Sequence, residues 1–269
     1  MTLEDSITSF AKLSVEKTRF LARNPLGFWV ASMMAGAYVG MGILLIFAVG
    51  QNADPSSRSL VMGVSFGIAL TLVVFAGSEL FTGHTMYMTI GLLTGNIRSL
   101  DMLRAWGITW VGNLTGSALL GILFVLGGGG AVLQEGGQDL IHAVATKKMS
   151  APAVELFFRA MLCNWLVCLA IWGAARTTND TAKCIIIFWC LFAFIAAGFE
   201  HSVVNMTLFS VAWRISRTVP PICEPAEMVR SARRRISVAT TVNPVPASPA
   251  LFASIDAFID NNVVWSATV

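Results

Sequence analysis

The sequence predicts an all-α, polytopic membrane protein built as two inverted three-span halves, with the second and fifth spans broken. Three observations carry this. Five stretches hold no charged residue, at 24–53, 59–78, 105–134, 160–175 and 184–199. The chain is 55% apolar and only 12% charged, with a mean hydropathy of +0.71. And one short pattern, Ala-Gly-x-Glu, closes two of the apolar runs, as "AGSE" at 76–79 and "AGFE" at 197–200. A crossing helix needs roughly 20 mostly apolar residues. A soluble core could hide one such helix but not five, which excludes a soluble globular domain.

Taken in chain order, residues 1–25 mix acidic and basic residues and lack an apolar core region, so no cleavable signal peptide is expected. They read either as an amphipathic helix on the membrane, with Ile7, Phe10, Phe20 and Leu21 inward, or as a solvated lead-in helix. The membrane core follows over 26–213, with spans at about 26–50, 60–80, 105–128, 153–175 and an interrupted one at 184–213. Gly36-x-x-x-Gly40 and Gly112-x-x-x-Gly116 provide small-residue faces for close helix contact. Cys163, Cys168, Cys184 and Cys190 have no metal or redox spacing and read as small apolar core residues.

Lys and Arg set the expected orientation. Lys12, Lys17, Arg19 and Arg23 precede the first span, Arg98 and Arg104 follow the second, and Arg176 and Lys183 follow the fourth. The other side carries only Arg58, Lys147, Lys148 and Arg159. By the positive-inside rule the N-terminus is cytoplasmic and the link 129–152 external.

The two Ala-Gly-x-Glu patterns fall at the second span of each half. Each is followed by a polar interruption, then by Met and a short apolar piece, "YMTIGLL" or "TLFSVAW". Discontinuous helices in inverted halves are a common transporter plan, and irregular backbone at membrane depth is tolerated where it lines a cavity. Glu200, His201 and Asn205 would then sit where one helix unwinds, faced by Thr82 and His84 from the other half. Glu79 and Glu200 read as caps that accept backbone hydrogen bonds at the breaks. His201 reads as functional, because an imidazole can both donate and accept.

These residues carry a resemblance to the formate–nitrite transporter family, closest to its nitrite channel branch. "VFAGSELFTG" (74–83) resembles the family's first signature and "AMLCNWLVCLA" (160–170) its second. "NPLGFWVASMMAGAYVGMGILLIF" (24–47) and "FIAAGFEHSVVNMTLF" (194–209) are also similar to that branch. The likeness spans about 20–213.

It implies an aquaporin-like protomer in a homopentamer of the bacterial inner membrane, each protomer with its own pore for nitrite and similar small anions, with protons as possible co-substrate. No enzymatic activity, cofactor, metal or nucleic-acid partner is implied. The central pore histidine would be His201, with Thr82 and Asn205 as polar neighbours. Phe66 and Phe194 would form the outer constriction, and Leu70 and Leu80 the inner one. Asn164, Glu200 and Lys148 would attract the substrate or tune the histidine's electrostatics. Rings of Phe and Leu offer an anion no hydrogen bonds, so crossing bare is expensive. Burial favours the neutral form of a weak acid. Passage as the neutral acid and passage as an anion past a protonated His201 both fit the residues.

After Trp213 the likeness stops. Residues 214–269 are rich in Arg, Pro, Ser and Ala, and the longest uncharged run, 236–255, contains three prolines. No sixth span is expected there, although short helices around 224–236 and 250–261 are compatible with the residues. A frameshifted reading of the last part of the gene would produce such a switch. Two other functions compete: an inactive family member that inserts but does not transport, and a membrane metalloenzyme using Glu79, His84, Glu200 and His201.

Overall fold

The computed structural model describes residues 2–133 and 137–218. Among them the fold is all-helical, in ten α-helices and one short 3-10 turn.

Helix α1 (Leu3–Arg23) opens on a capping box: the Asp5 amide donates to Thr2 Oγ1 at 3.1 Å and the Thr2 amide to the Asp5 carboxylate at 2.7 Å. The Thr2 amide and hydroxyl hold the Asp5 carboxyl below its ordinary range. Its apolar side is covered by protein. Phe10 stacks on Trp172 at 5.1 Å and joins a buried cluster with Tyr87, Met88, Ile97 and Ala105. Ser14 lies flat on Gly91, where any side chain would collide with it. Of the four residues expected inward, Phe10 is buried, and Ile7, Phe20 and Leu21 are half-buried.

Helix α2 (Pro25–Gly50) begins with Asn24 accepting from the Gly27 amide and with proline at its first position, where no amide is needed. Helices α3 (Arg58–Ser65) and α4 (Ile68–Ala76) form one crossing, separated only by Phe66 and Gly67, and α5 (Phe81–Leu93) follows a break. Helix α6 (Ser99–Leu126) completes the first half. The 3-10 turn (Gly130–Leu133) and α7 (Gly137–Met149) lie in the link 129–152. Helix α8 (Ala153–Ala175) matches its expected span residue for residue. The fifth crossing is α9 (Asp180–Ala196) and α10 (Ser202–Thr218), split by a second break.

Among the described residues, four helical stretches are long and apolar enough to cross a membrane: Pro25–Gly50, Arg58–Ala76, Ser99–Leu126 and Ala153–Ala175. The fifth escapes that description because its break leaves 17 residues on either side. Helix α8 turns Phe157, Phe158, Met161 and Trp165 outward. An apolar exterior of this kind suits lipid or another chain. Among the described residues the second half has no third crossing to match α6. The tail over 214–269, the missing sixth span and the two short helices expected in the tail lie outside the described residues, except that α10 continues a turn past Trp213 to Thr218 with Ile215 buried.

The first half is locked by α2 against α6. A Cβ on Gly36 would strike the Asn113 carbonyl, and one on Gly116 the Met33 carbonyl, so the two backbones touch. Ser117 Oγ donates to the Gly36 carbonyl at 3.2 Å across the same seam. This is the small-residue packing that membrane helices use in place of the hydrophobic effect. Gly36→Ala should therefore cost about 1–3 kcal/mol, as overpacking does. Gly107→Ala, at a site with nothing within 4 Å, should be neutral or slightly stabilising. Thermal unfolding of the two variants in detergent checks this, and equal midpoints would contradict it.

Candidate functional site

The two breaks follow one plan. Gly77 ends α4 at φ 73°, and Gly198 follows α9 at φ 71°, both in the left-handed region that favours glycine. In each case the next helix starts four residues later, at Phe81 and at Ser202. Each break has its glutamate two residues after the glycine, nearly buried: Glu79 is 2% exposed and Glu200 8%.

Neither glutamate caps a helix through backbone amides, contrary to the reading from sequence. Glu79 accepts from Lys17 Nζ at 2.5 Å on one oxygen and lies 2.8 Å from His84 Nε2 on the other. Glu200 accepts from Lys148 Nζ at 2.6 Å and from Asn205 Nδ2 at 3.0 Å. The reason is electrostatic. A carboxylate taken out of water needs an opposite charge and filled lone pairs, which a buried amide alone does not supply. Both lysines come from helices outside the spans, Lys17 from α1 and Lys148 from α7.

Lys17 was missed in the sequence. Its signal is positional: Phe10, Ser14, Lys17 and Leu21 share one helical face at spacings of 4, 3 and 4, so a lysine sits on the buried side of α1.

His201 is 5% exposed and lies between the breaks. The Val204 amide donates to its Nδ1 at 3.3 Å, so the ring proton sits on Nε2 and points to Thr82 Oγ1, 3.3 Å away in the other half. Phe194 stacks on the imidazole at 5.8 Å and meets Phe66 edge-on at 5.6 Å. Phe66, Leu70, Leu80, Phe194 and His201 line one cavity of about 10 Å³, with room for a single water at most. The four apolar residues assigned to two constrictions thus close around the same space. His201 is the one lining residue there whose side chain hydrogen-bonds.

On the α7 side a vestibule of about 370 Å³ reaches this point, sharing Phe194 and Val204 with the inner cavity. Among the described residues, its walls carry Arg58, Lys147, Lys148 and Arg159 against a single carboxylate, Glu200. Arg159 is paired with Glu155 at 2.8 Å, and Arg58 donates to the Gly50 and Ala53 carbonyls. A cleft with this balance concentrates anions.

Three residues lie apart from His201. Asn164, on α8, donates to Thr85 Oγ1 at 3.0 Å, and Thr85 Oγ1 in turn donates to the Thr82 carbonyl at 2.7 Å, so Asn164 supports Thr82 at one remove. Asn205 turns to Glu200 rather than to the histidine. His84 does not face the second half either; it folds back to Glu79 on its own break. The four residues of the metalloenzyme reading therefore split into separate pairs with lysine, threonine and each other, and among the described residues no three potential ligands converge.

Asn113 on α6, in the "WVGNLTG" segment (110–116), was given no role from the sequence. Its Nδ2 donates to the Ser32 carbonyl at 2.7 Å and the Glu79 carbonyl at 2.9 Å, and its Oδ1 accepts from the Phe81 amide at 2.9 Å. It clamps the first break to α2 and α6. An amide in the middle of an uncharged run, beside Gly112, was the available signal.

The chain matches the family model described as "Formate/nitrite transporter" over residues 5–247. That match runs beyond Trp213, where the resemblance read from the residues ends. The chain is 55% identical over 209 residues to "Nitrite transporter NirC" of Salmonella typhimurium, covering 78% of this chain and 77% of that protein. Among solved structures, an "FNT family ion channel" superposes with a TM-score of 0.75 at 55% identity, over 78% of this chain and 84% of that one. A "Pentameric formate channel with formate bound" gives 0.64 at 25% identity, over 72% and 77%.

Asn113→Ala should lower thermal stability in detergent by at least about 2 kcal/mol, because buried carbonyl and amide groups at the break lose their partner at about 1–3 kcal/mol each. An unchanged unfolding midpoint would mean that the clamp carries no weight.

Proposed function

The chain belongs to the formate/nitrite transporter family, and from that premise we propose that it conducts nitrite and similar small monovalent anions through a pore in each protomer. The members it resembles are channels and transporters, not enzymes. The observation that carries the proposal is the closed cavity of about 10 Å³ between the breaks, in which His201 alone offers a proton to a solute.

The physics follows from the walls. Lys148, with the cationic vestibule around it, draws the anion in from the α7 side. Phe66, Leu70, Leu80 and Phe194 then oppose a bare charge, because nothing there replaces its hydration. Nitrite and formate are conjugate bases of weak acids, and low polarity favours their protonated form. The substrate takes up a proton at the vestibule and crosses as the neutral acid. His201 and Thr82 guide it by hydrogen bonding, and Asn164 holds Thr82 in place. Lys17 and Glu79 repeat the Lys148–Glu200 arrangement on the opposite side, so that an anion meets a cation at either mouth. The protomers assemble as a homopentamer in a bacterial plasma membrane with α1 on the cytoplasmic side. The outward apolar face of α8 and the pentameric formate channel among the similar structures support that assembly.

Two variants test the reading in proteoliposomes. His201→Ala should assemble normally but flatten the pH–flux profile and alter the nitrite-to-formate ratio; a profile superposable on the wild type would overturn the role. Lys148→Gln keeps a donor for Glu200 and removes the charge. It should lower nitrite uptake several-fold at ~10 mM salt, where the Debye length is about 30 Å, and less at ~150 mM, where it is about 8 Å. Equal loss at both salts would point to a folding defect instead of lost attraction.

A further inference from the structure

His84 is a buried titratable side chain that the conduction path leaves unused. It is fully enclosed, with its ring edge-on to Phe28 at 5.7 Å and tilted against Tyr87 at 4.8 Å. Nε2 lies 2.8 Å from Glu79 Oε2, and Nδ1 has no partner among the described residues. The ring thus serves as a donor of one proton, aimed at the carboxylate. The other Glu79 oxygen takes Lys17. Among the described residues, the titratable groups around His84 are Glu79, Lys17 and Tyr87, the last by its ring.

The second break supplies an independent comparison. Asn205 stands five residues after Glu200, as His84 stands five after Glu79, and it too donates to its glutamate. That offset returns a side chain from the first turn of the new helix to the break. The two halves fill it with different residues, a histidine and an asparagine, that share one property: a fixed N–H.

We infer that His84 is a positioning residue: it holds the Glu79 carboxylate so that the opposite oxygen meets Lys17, which seats α1 on the first break and keeps a cation at the α1-side mouth. The mouth role of Lys17 rests on the function proposed above; the seating of α1 does not. Two independent contacts, Ser14 on Gly91 of α5 and Phe10 on Trp172 of α8, set where α1 lies. The Lys17–Glu79–His84 chain ties that helix to the break itself.

The test compares His84→Asn, which installs the residue of the second break, with His84→Leu, which fills the space without a donor, in the purified full chain. The first readout is amide hydrogen exchange over α1, which needs no transport. His84→Leu should speed exchange about tenfold and His84→Asn should restore the wild-type rate. The second is nitrite uptake at low salt. His84→Leu and Lys17→Gln should each lower it, and the double variant should be no lower than Lys17→Gln alone. His84→Asn should restore uptake with the wild-type pH profile, as a fixed donor requires. Fast exchange in His84→Asn, or losses that multiply in the double variant, would overturn the inference. If His84→Leu does not fold, the exchange rate of His84→Asn decides alone. If the wild type carries no nitrite, the proposed function fails and the exchange readout still judges His84.

Discussion

Two carboxylates sit where two helices stop inside an apolar layer, and the rest of the structure depends on keeping them paired. A buried ion pair that loses one partner costs about 3–5 kcal/mol. Glu79 and Glu200 therefore impose conditions on segments far away in sequence. One needs a lysine from α1, 62 residues upstream, and the other a lysine from α7, 52 residues upstream. The helices outside the spans are thus part of the channel body. They bring a positive charge to each of the two breaks, an arrangement that suits the anion pathway proposed above.

The breaks themselves follow from local chemistry. A glycine in the left-handed region ends the first half-helix, and three further residues precede the next. The exposed peptide groups of the first break are then claimed by Asn113, which can approach because Gly36 and Gly116 let α2 and α6 touch. Close packing and polar satisfaction are one device here: without the glycines the asparagine would stand too far from Ser32 and Glu79. Among the described residues the second break has its lysine and its five-residue partner, but no clamp from a third crossing.

The spans were legible because length and absence of charge specify them almost alone, and α8 came out at its expected bounds. Both breaks were legible from repetition, since Ala-Gly-x-Glu twice after an apolar run has few other uses. What sequence did not supply was partner choice. The glutamates were read as backbone caps because capping is local, whereas their actual partners lie tens of residues away. Lys17 was counted only as a charge for orientation, although its place on the Phe10–Ser14–Leu21 face marked it as turned inward. Asn205 was expected to neighbour His201, and His84 to face the second break from the other half. Their shared offset turns them toward the glutamates instead, and that direction is set by the fold of each break, which the residues alone do not fix.

The central claim is that the apolar closure between the breaks passes a small weak acid. The most direct measurement is the rate of nitrite uptake into proteoliposomes holding the purified chain, against protein-free liposomes of the same lipid and at matched pH. The account requires uptake well above the protein-free rate, rising as the external pH falls, with formate admitted and a bulky strong-acid anion excluded. Uptake no faster than in protein-free liposomes, from protein shown to be folded and inserted, would contradict it.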